Sequence, residues 1–158
     1  MNILINYNTY DANNVFFSEA IKNTIIDNSV FRRLVYTPEN YSLNSLHFMI
    51  SIQNAVIKKY YNKYKCYINH TTSNQVEINK MLSIEKSILS RVDIKNKRPI
   101  TQISDLLNQK HIKLFSSNHL KDNYENFRVV LKISGIWETE DTYGLTFKFI
   151  DLTNLDNV

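Results

Sequence analysis

FRVVLKIS, residues 127–134, and LTFKFI, residues 145–150, carry the clearest periodic signal in the chain. In the first run Phe127, Val129, Leu131 and Ile133 alternate with Arg128, Val130, Lys132 and Ser134. This is the period of two that sends one set of side chains into a core and the other set to the opposite face. In the second run Leu145, Phe147 and Phe149 share one face, while Thr146, Lys148 and Ile150 share the other. The acidic connection Glu138-Thr139-Glu140-Asp141 suits an exposed hairpin loop, so strands are predicted over 127–136 and 143–151.

Upstream, VFRRLVYT (30–37) and LHFMISI (46–52) are short runs of β-branched and aromatic residues separated by the turn signal Pro38-Glu39-Asn40, and KYKCYIN (63–69) adds a further strand. Residues 43–64 also read as one amphipathic helix, because Leu43, Leu46, Ile50, Ile57, Tyr61 and Tyr64 fall at roughly helical spacing. A helix is predicted over 74–91, with Asn74 as cap, Glu77 as its capping-box partner, and an apolar stripe of Ile78, Met81, Leu82, Ile88 and Leu89 that also takes in Glu85. A shorter helix over 101–108 uses Ile103, Leu106 and Leu107. Pro38 and Pro99 sit at turn-like junctions, and no repeat or linker divides residues 1–158, which read as a single domain. The fold class is α+β. Its compact form is a mostly antiparallel OB-like β-barrel with one inserted main helix and a short second helix, since closure hides the sheet edges.

Composition excludes several chemistries. The 158 residues are 43% hydrophobic and 22% charged, enough for one buried core. The only two glycines, Gly135 and Gly144, are too far apart to form a glycine-rich phosphate cradle. One cysteine, Cys66, admits no intrachain disulfide and reads as a small packed strand residue. The opening MNILINYNTYD lacks the pattern of a signal peptide, so a reducing compartment is expected. No apolar stretch approaches the ~20 residues that span a bilayer, so no membrane partner is expected. There is no nucleophile elbow, and His47, His70, His111 and His119 lack metal-ligand spacing. The carboxylates of Glu138, Glu140 and Asp141 could hold a divalent cation, but on a hairpin tip they read as solvated. Neither catalysis nor a cofactor or metal is expected.

A formal net charge of +4 and a pI near 9.1 lean toward a polyanionic partner. The segment KKYYNKYKCY (58–67) interleaves Lys58, Lys59, Lys63 and Lys65 with Tyr60, Tyr61, Tyr64 and Tyr67. Single-stranded nucleic acid needs this mixture, because cations release counterions from phosphates and rings stack on unpaired bases. A structural element with a solvated lysine face has the same composition. On the closing hairpin Arg128, Lys132, Ser134, Thr146 and Lys148 form a basic face suited to phosphates, which Lys22, Arg32 and Arg33 could extend. Trp137 either stacks on a base or plugs one end of a barrel, and its position beside the acidic loop favours the structural role.

The block LKISGIWETEDTYGLTFKFI (131–150) resembles the C-terminal block of small OB-like single-stranded DNA-binding proteins of large double-stranded DNA viruses. The order of the IEKSIL helix (84–89), a variable stretch and a closing hairpin is similar as well. The resemblance implies nucleic-acid-facing roles for Lys132, Trp137 and Lys148, and structural roles for Gly135 and Gly144. The end LTNLDNV lacks the acidic tail through which some such proteins recruit replication partners, so that recruitment is not expected. The expected function is non-enzymatic, sequence-tolerant single-stranded DNA binding in viral DNA replication or repair, within the host cytoplasm or nucleus. RNA is admitted by the same chemistry, and so is a homo-oligomer. The alternative is a viral structural or host-interaction protein with an aromatic oligomer interface.

Overall fold

In chain order the elements are β1 (Val15–Phe17), β2 (Ile21–Lys22), β3 (Val30–Tyr36), β4 (Leu46–Tyr60), β5 (Lys63–Tyr67), α1 (Thr72–Leu89), β6 (Arg98–Ile100), α2 (Gln102–Asn108), β7 (His111–Phe115), β8 (Asn123–Glu138) and β9 (Thr142–Asp151). A short 3-10 turn over Ala12–Asn14 precedes them. The computed structural model describes residues 3–152, so Met1, Asn2 and all but the first residue of LTNLDNV lie outside the described residues.

The alternating runs become the paired strands β8 and β9, whose register places Leu131 opposite Phe149 and Ile133 opposite Phe147. A bulge between Ile133 and Gly135 shifts the pairing by one residue. Gly135 at this point lets β3 approach β8 closely, since a Cβ there would collide with the Arg32 carbonyl oxygen and the Phe31 ring. The turn between the strands is held by Thr139, whose hydroxyl accepts from the Thr142 amide at 3.1 Å.

β4 runs for 15 residues. Leu46, Phe48, Ile50 and Ile52 are buried opposite Ile133, Leu131, Val129 and Phe127 of β8. The helical alternative for 43–64 is therefore absent. Alternation over Leu46–Ile52 offers one continuous apolar face to β8, which a helix could not present to a strand.

Helix α1 starts and ends two residues earlier than predicted. Thr71 caps it, with its hydroxyl accepting from the Asn74 amide. Asn74, expected as the cap, is buried inside the helix. Its side chain accepts from the Gln53 amide at 2.8 Å and donates to the Gln53 carbonyl at 3.0 Å. The predicted capping box is likewise absent, because the Glu77 carboxylate accepts from the Ser51 amide at 3.0 Å. Both side chains serve the backbone of β4 at Ser51 and Gln53, whose second edge is left open because β5 pairs only with Val56 to Tyr60. Ile78, Met81, Ile84, Ile88 and Leu89 fill the core. Glu85 is buried among them and accepts from the Ile103 and Ser104 amides at 2.8 and 3.0 Å, fastening the start of α2 to α1. Burial pushes its carboxyl above the ordinary range, and those two amides pull the other way.

Four short strands, β1, β2, β6 and β7, lie outside the predicted runs. Pro99 lies in β6, at the sheet edge, where the lack of an N–H is tolerated, and not at a turn. The nine strands form one mixed sheet in the order β1-β3-β8-β4-β5-β7-β9-β6, with β2 on β3. Only β6 and β7 run parallel to their partner β9. Because β8 also pairs with β9, the ladder passes from β4 through β5, β7, β9 and β8 and returns to β4.

Candidate nucleic-acid interface

The hairpin joining β4 and β5 turns through Tyr61 and Asn62, with Tyr61 at a φ of 54°. Its register sets Lys58 opposite Lys65 and Tyr60 opposite Lys63. Strand alternation therefore divides the lysine and tyrosine cluster. Lys58, Tyr60, Lys63, Lys65 and Tyr67 take the outer face, and Tyr64 and Cys66 point inward. Burial pushes the Cys66 thiol up to about 12, consistent with a packing role. Tyr64 is buried, and its hydroxyl donates to the Asn118 carbonyl at 3.3 Å. It offers no ring face to a base, contrary to expectation. Lys59 is exposed opposite Tyr64, and Tyr61 at the turn is 83% exposed.

The outer face continues across the sheet. Lys65 is opposite Lys113 of β7, Lys113 and Lys148 each precede the paired residues Leu114 and Phe149, and Lys148 is opposite Lys132. Five lysines, Lys58, Lys65, Lys113, Lys148 and Lys132, thus occupy neighbouring positions on five successive strands. At about 4.8 Å per strand, the row spans roughly 19 Å. The row ends at His47, opposite Lys132 on β4, eleven residues before Lys58 on the same strand. None of the three ion pairs among the described residues includes a lysine of this row. Like charges directly opposite one another destabilise a sheet. Burial, with the charges of Lys148 and Arg33, lowers the Lys132 pKa. His47 is buried and its Nε2 has no hydrogen-bond partner; burial and the charges of Lys132 and Lys148 hold its pKa below the ordinary value.

Rings flank one end of the row. The Lys65 Nζ lies 4.4 Å from the centre of the Tyr60 ring, Lys58 Nζ lies 5.3 Å from that of Tyr67, and Lys63 Nζ lies 4.9 Å from that of Phe115. Tyr60 and Phe115 are about half exposed. Lys113 and Phe115 are not among the predicted residues, and the alternation of HIKLF (111–115) is the sequence signal that marks them.

The remaining predicted residues divide. Arg128 is exposed opposite Ser51 on the same face as Lys132, four residues and about 13 Å along β8. Trp137 is buried, with its ring 2.7 Å from where a Gly144 Cβ would stand, and its Nε1 donates to Gln102 Oε1 at 3.4 Å. It therefore does not stack on a base from the open face, and its burial agrees with a structural role. Gly144 has the packing role expected of it. Arg32 does not extend the basic face, because it pairs with Glu138 at 3.2 Å, as Lys97 does at 2.7 Å. Glu138 is accordingly not part of a solvated tip. Burial would raise its pKa, but the hydrogen bonds and charges of Lys97 and Arg32 outweigh burial and lower it. Among the described residues no group of three His, Cys, Asp or Glu side chains could hold a metal ion.

Beside the row, between α2 and the β7–β9 ladder, lies a groove of about 430 Å³ with Lys113 and Lys148 on its lining. No helix among the described residues is long and apolar enough to cross a membrane. Comparisons with protein-family models, with curated proteins and with solved structures found no match to this chain.

Proposed function

We propose that this chain is an OB-like, non-enzymatic binder of single-stranded nucleic acid that holds phosphates on the lysine row and stacks bases on the rings beside it. The observation that carries this reading is the row itself: five lysines in cross-strand register on five neighbouring strands, outside every ion pair found among the described residues. Such an arrangement is unfavourable for folding and favourable for a polyanion, whose binding would release counterions.

Two features favour a single strand over duplex. The strands carrying the row form a pairing circuit, which reads as a barrel, so the row winds around a curved surface. Duplex DNA, with a persistence length of ~50 nm, resists following such a path, and an unpaired strand does not. The rings also have a use only where bases are unpaired. Each ammonium over an exposed ring gains about 0.5–1 kcal/mol, less than the ~1–3 kcal/mol of a stacked base, so an incoming base displaces the lysine toward phosphate. The outer faces of β5 and β7 are the second and third strands of the circuit, where OB barrels bind oligonucleotides. Helix α1 is inserted between these two strands. The resemblance of residues 131–150 to viral single-strand binders favours DNA and a setting in replication or repair.

The test is fluorescence anisotropy with single-stranded DNA, RNA and duplex across a salt series. Neutralising five phosphates predicts a slope of about −3.5 in log K against log salt for the single strand. Lys132→Glu or Lys148→Glu should weaken binding and flatten that slope. Equal affinity for duplex, or a slope near zero, refutes the reading. The alternative of an oligomer interface draws on exposed Phe16, Ile21 and Ile25, which lie near β1 and β2. Assembly on a sizing column without nucleic acid, unchanged in the Lys132→Glu variant, would favour it.

A further inference from the structure

The groove beside α2 adjoins the lysine row but has a different chemistry. Leu106, Leu145, Phe147 and Phe115 make its walls mostly apolar, and Gln102 and Asp105 place polar groups on the α2 side. We propose that this groove receives one base of the bound strand, with the flanking phosphate on Lys113 and Lys148; the assignment rests on the single-strand reading above.

Four observations carry it. The volume of about 430 Å³ lies within the ~300–1,000 Å³ range of small-molecule sites, large enough for a flat heterocycle. Two lysines of the row line it, so a strand on the row passes its mouth. The Trp137 indole donates to Gln102 Oε1, so the amide NH2 of Gln102, a residue of the groove lining, remains as a donor. Asp105 follows three residues later, on the same helix face, and supplies an acceptor. One donor beside one acceptor in an apolar slot complements the polar edge of a base, and every base carries both kinds of group there. A simple polyanion would gain the lysines but would be repelled by the Asp105 carboxylate.

Trp137 is the single tryptophan of the chain and lines the groove, so its emission reports on occupancy. The experiment compares a short DNA oligonucleotide with an abasic strand of equal length, following both anisotropy and Trp137 emission. Both strands should bind with salt dependence, but only the base-bearing strand should change the emission. Leu106→Phe, which narrows the groove, should abolish that change and weaken the base-bearing strand about tenfold, with the abasic strand unaffected. Asp105→Asn, at an exposed position that leaves the core intact, should reduce the preference for bases in the same direction. Equal emission changes with both strands, or equal losses of both in the variants, overturn the assignment. If both strands bind tightly while Trp137 emission stays constant, the groove assignment falls and the row survives. If neither strand binds, the single-strand reading itself has failed.

Discussion

Lys132 faces His47 across one ladder and Lys148 across the other, so its ammonium is held between two basic neighbours. A like-charged pair directly opposite in a sheet costs about 0.2–1 kcal/mol. Lys132→Met keeps the aliphatic stem and removes the repulsion, so it should raise Tm by about 2 °C while weakening nucleic-acid binding. Differential scanning calorimetry beside anisotropy checks both halves, and a fall in both would mean that the ammonium stabilises the fold. His47 provides a second reading at this scale. Its pKa is depressed in the native state, so below about pH 6.5 the unfolded chain takes up a proton that the folded chain refuses. Stability therefore declines as pH falls through that region, by at most ~1.4 kcal/mol per pH unit for one proton. The raised Glu85 carboxyl acts in the opposite sense, so the comparison must be between variants. His47→Phe should lose less Tm than the wild-type chain between about pH 7 and 5.5, and parallel losses would remove His47 from the account.

At the scale of elements, the contact between α1 and β4 depends on a few polar groups. Asn74 bonds the Gln53 amide and carbonyl and also donates to the Asn69 carbonyl at 2.8 Å. Asn74→Ala strands these backbone groups in a part-buried site, at a cost of about 3 kcal/mol, and urea unfolding should show it. A loss under 1 kcal/mol would mean that water replaces the amide. Asn74 also shows why residue type alone does not fix the start of α1. Asn is a good cap by residue type, yet Thr71, three residues earlier, performs that role, and the arrival of β4 gives Asn74 its bonds to Gln53. β7 is weakly marked in the sequence for a related reason. Five residues following a short helix carry a weak periodic signal, and its pairing with β5 and parallel contact with β9 arise from distant parts of the chain.

Across the whole molecule, the basic surface is a consequence of register. KKYYNKYKCY reads as one cluster, but the fold splits it, turning Tyr64 inward and joining Lys58 and Lys65 to Lys113, Lys148 and Lys132 from three other strands. The hairpin lysines at 132 and 148 were legible as outward-facing from alternation alone. Their connection to the β4–β5 cluster was not, since it passes through β7.

The sequence by itself determined the strand periodicity of the closing hairpin, the existence of both helices, the mostly antiparallel α+β class and the absence of a glycine-rich phosphate loop, because these follow from local side-chain pattern and composition. Only the tertiary structure decided which lysines stand together, that Tyr64 and Trp137 are buried, and that a groove opens beside the row. Those outcomes depend on hydrogen-bond register between strands far apart in the chain, and a shift of one residue in that register would send each side chain to the opposite face.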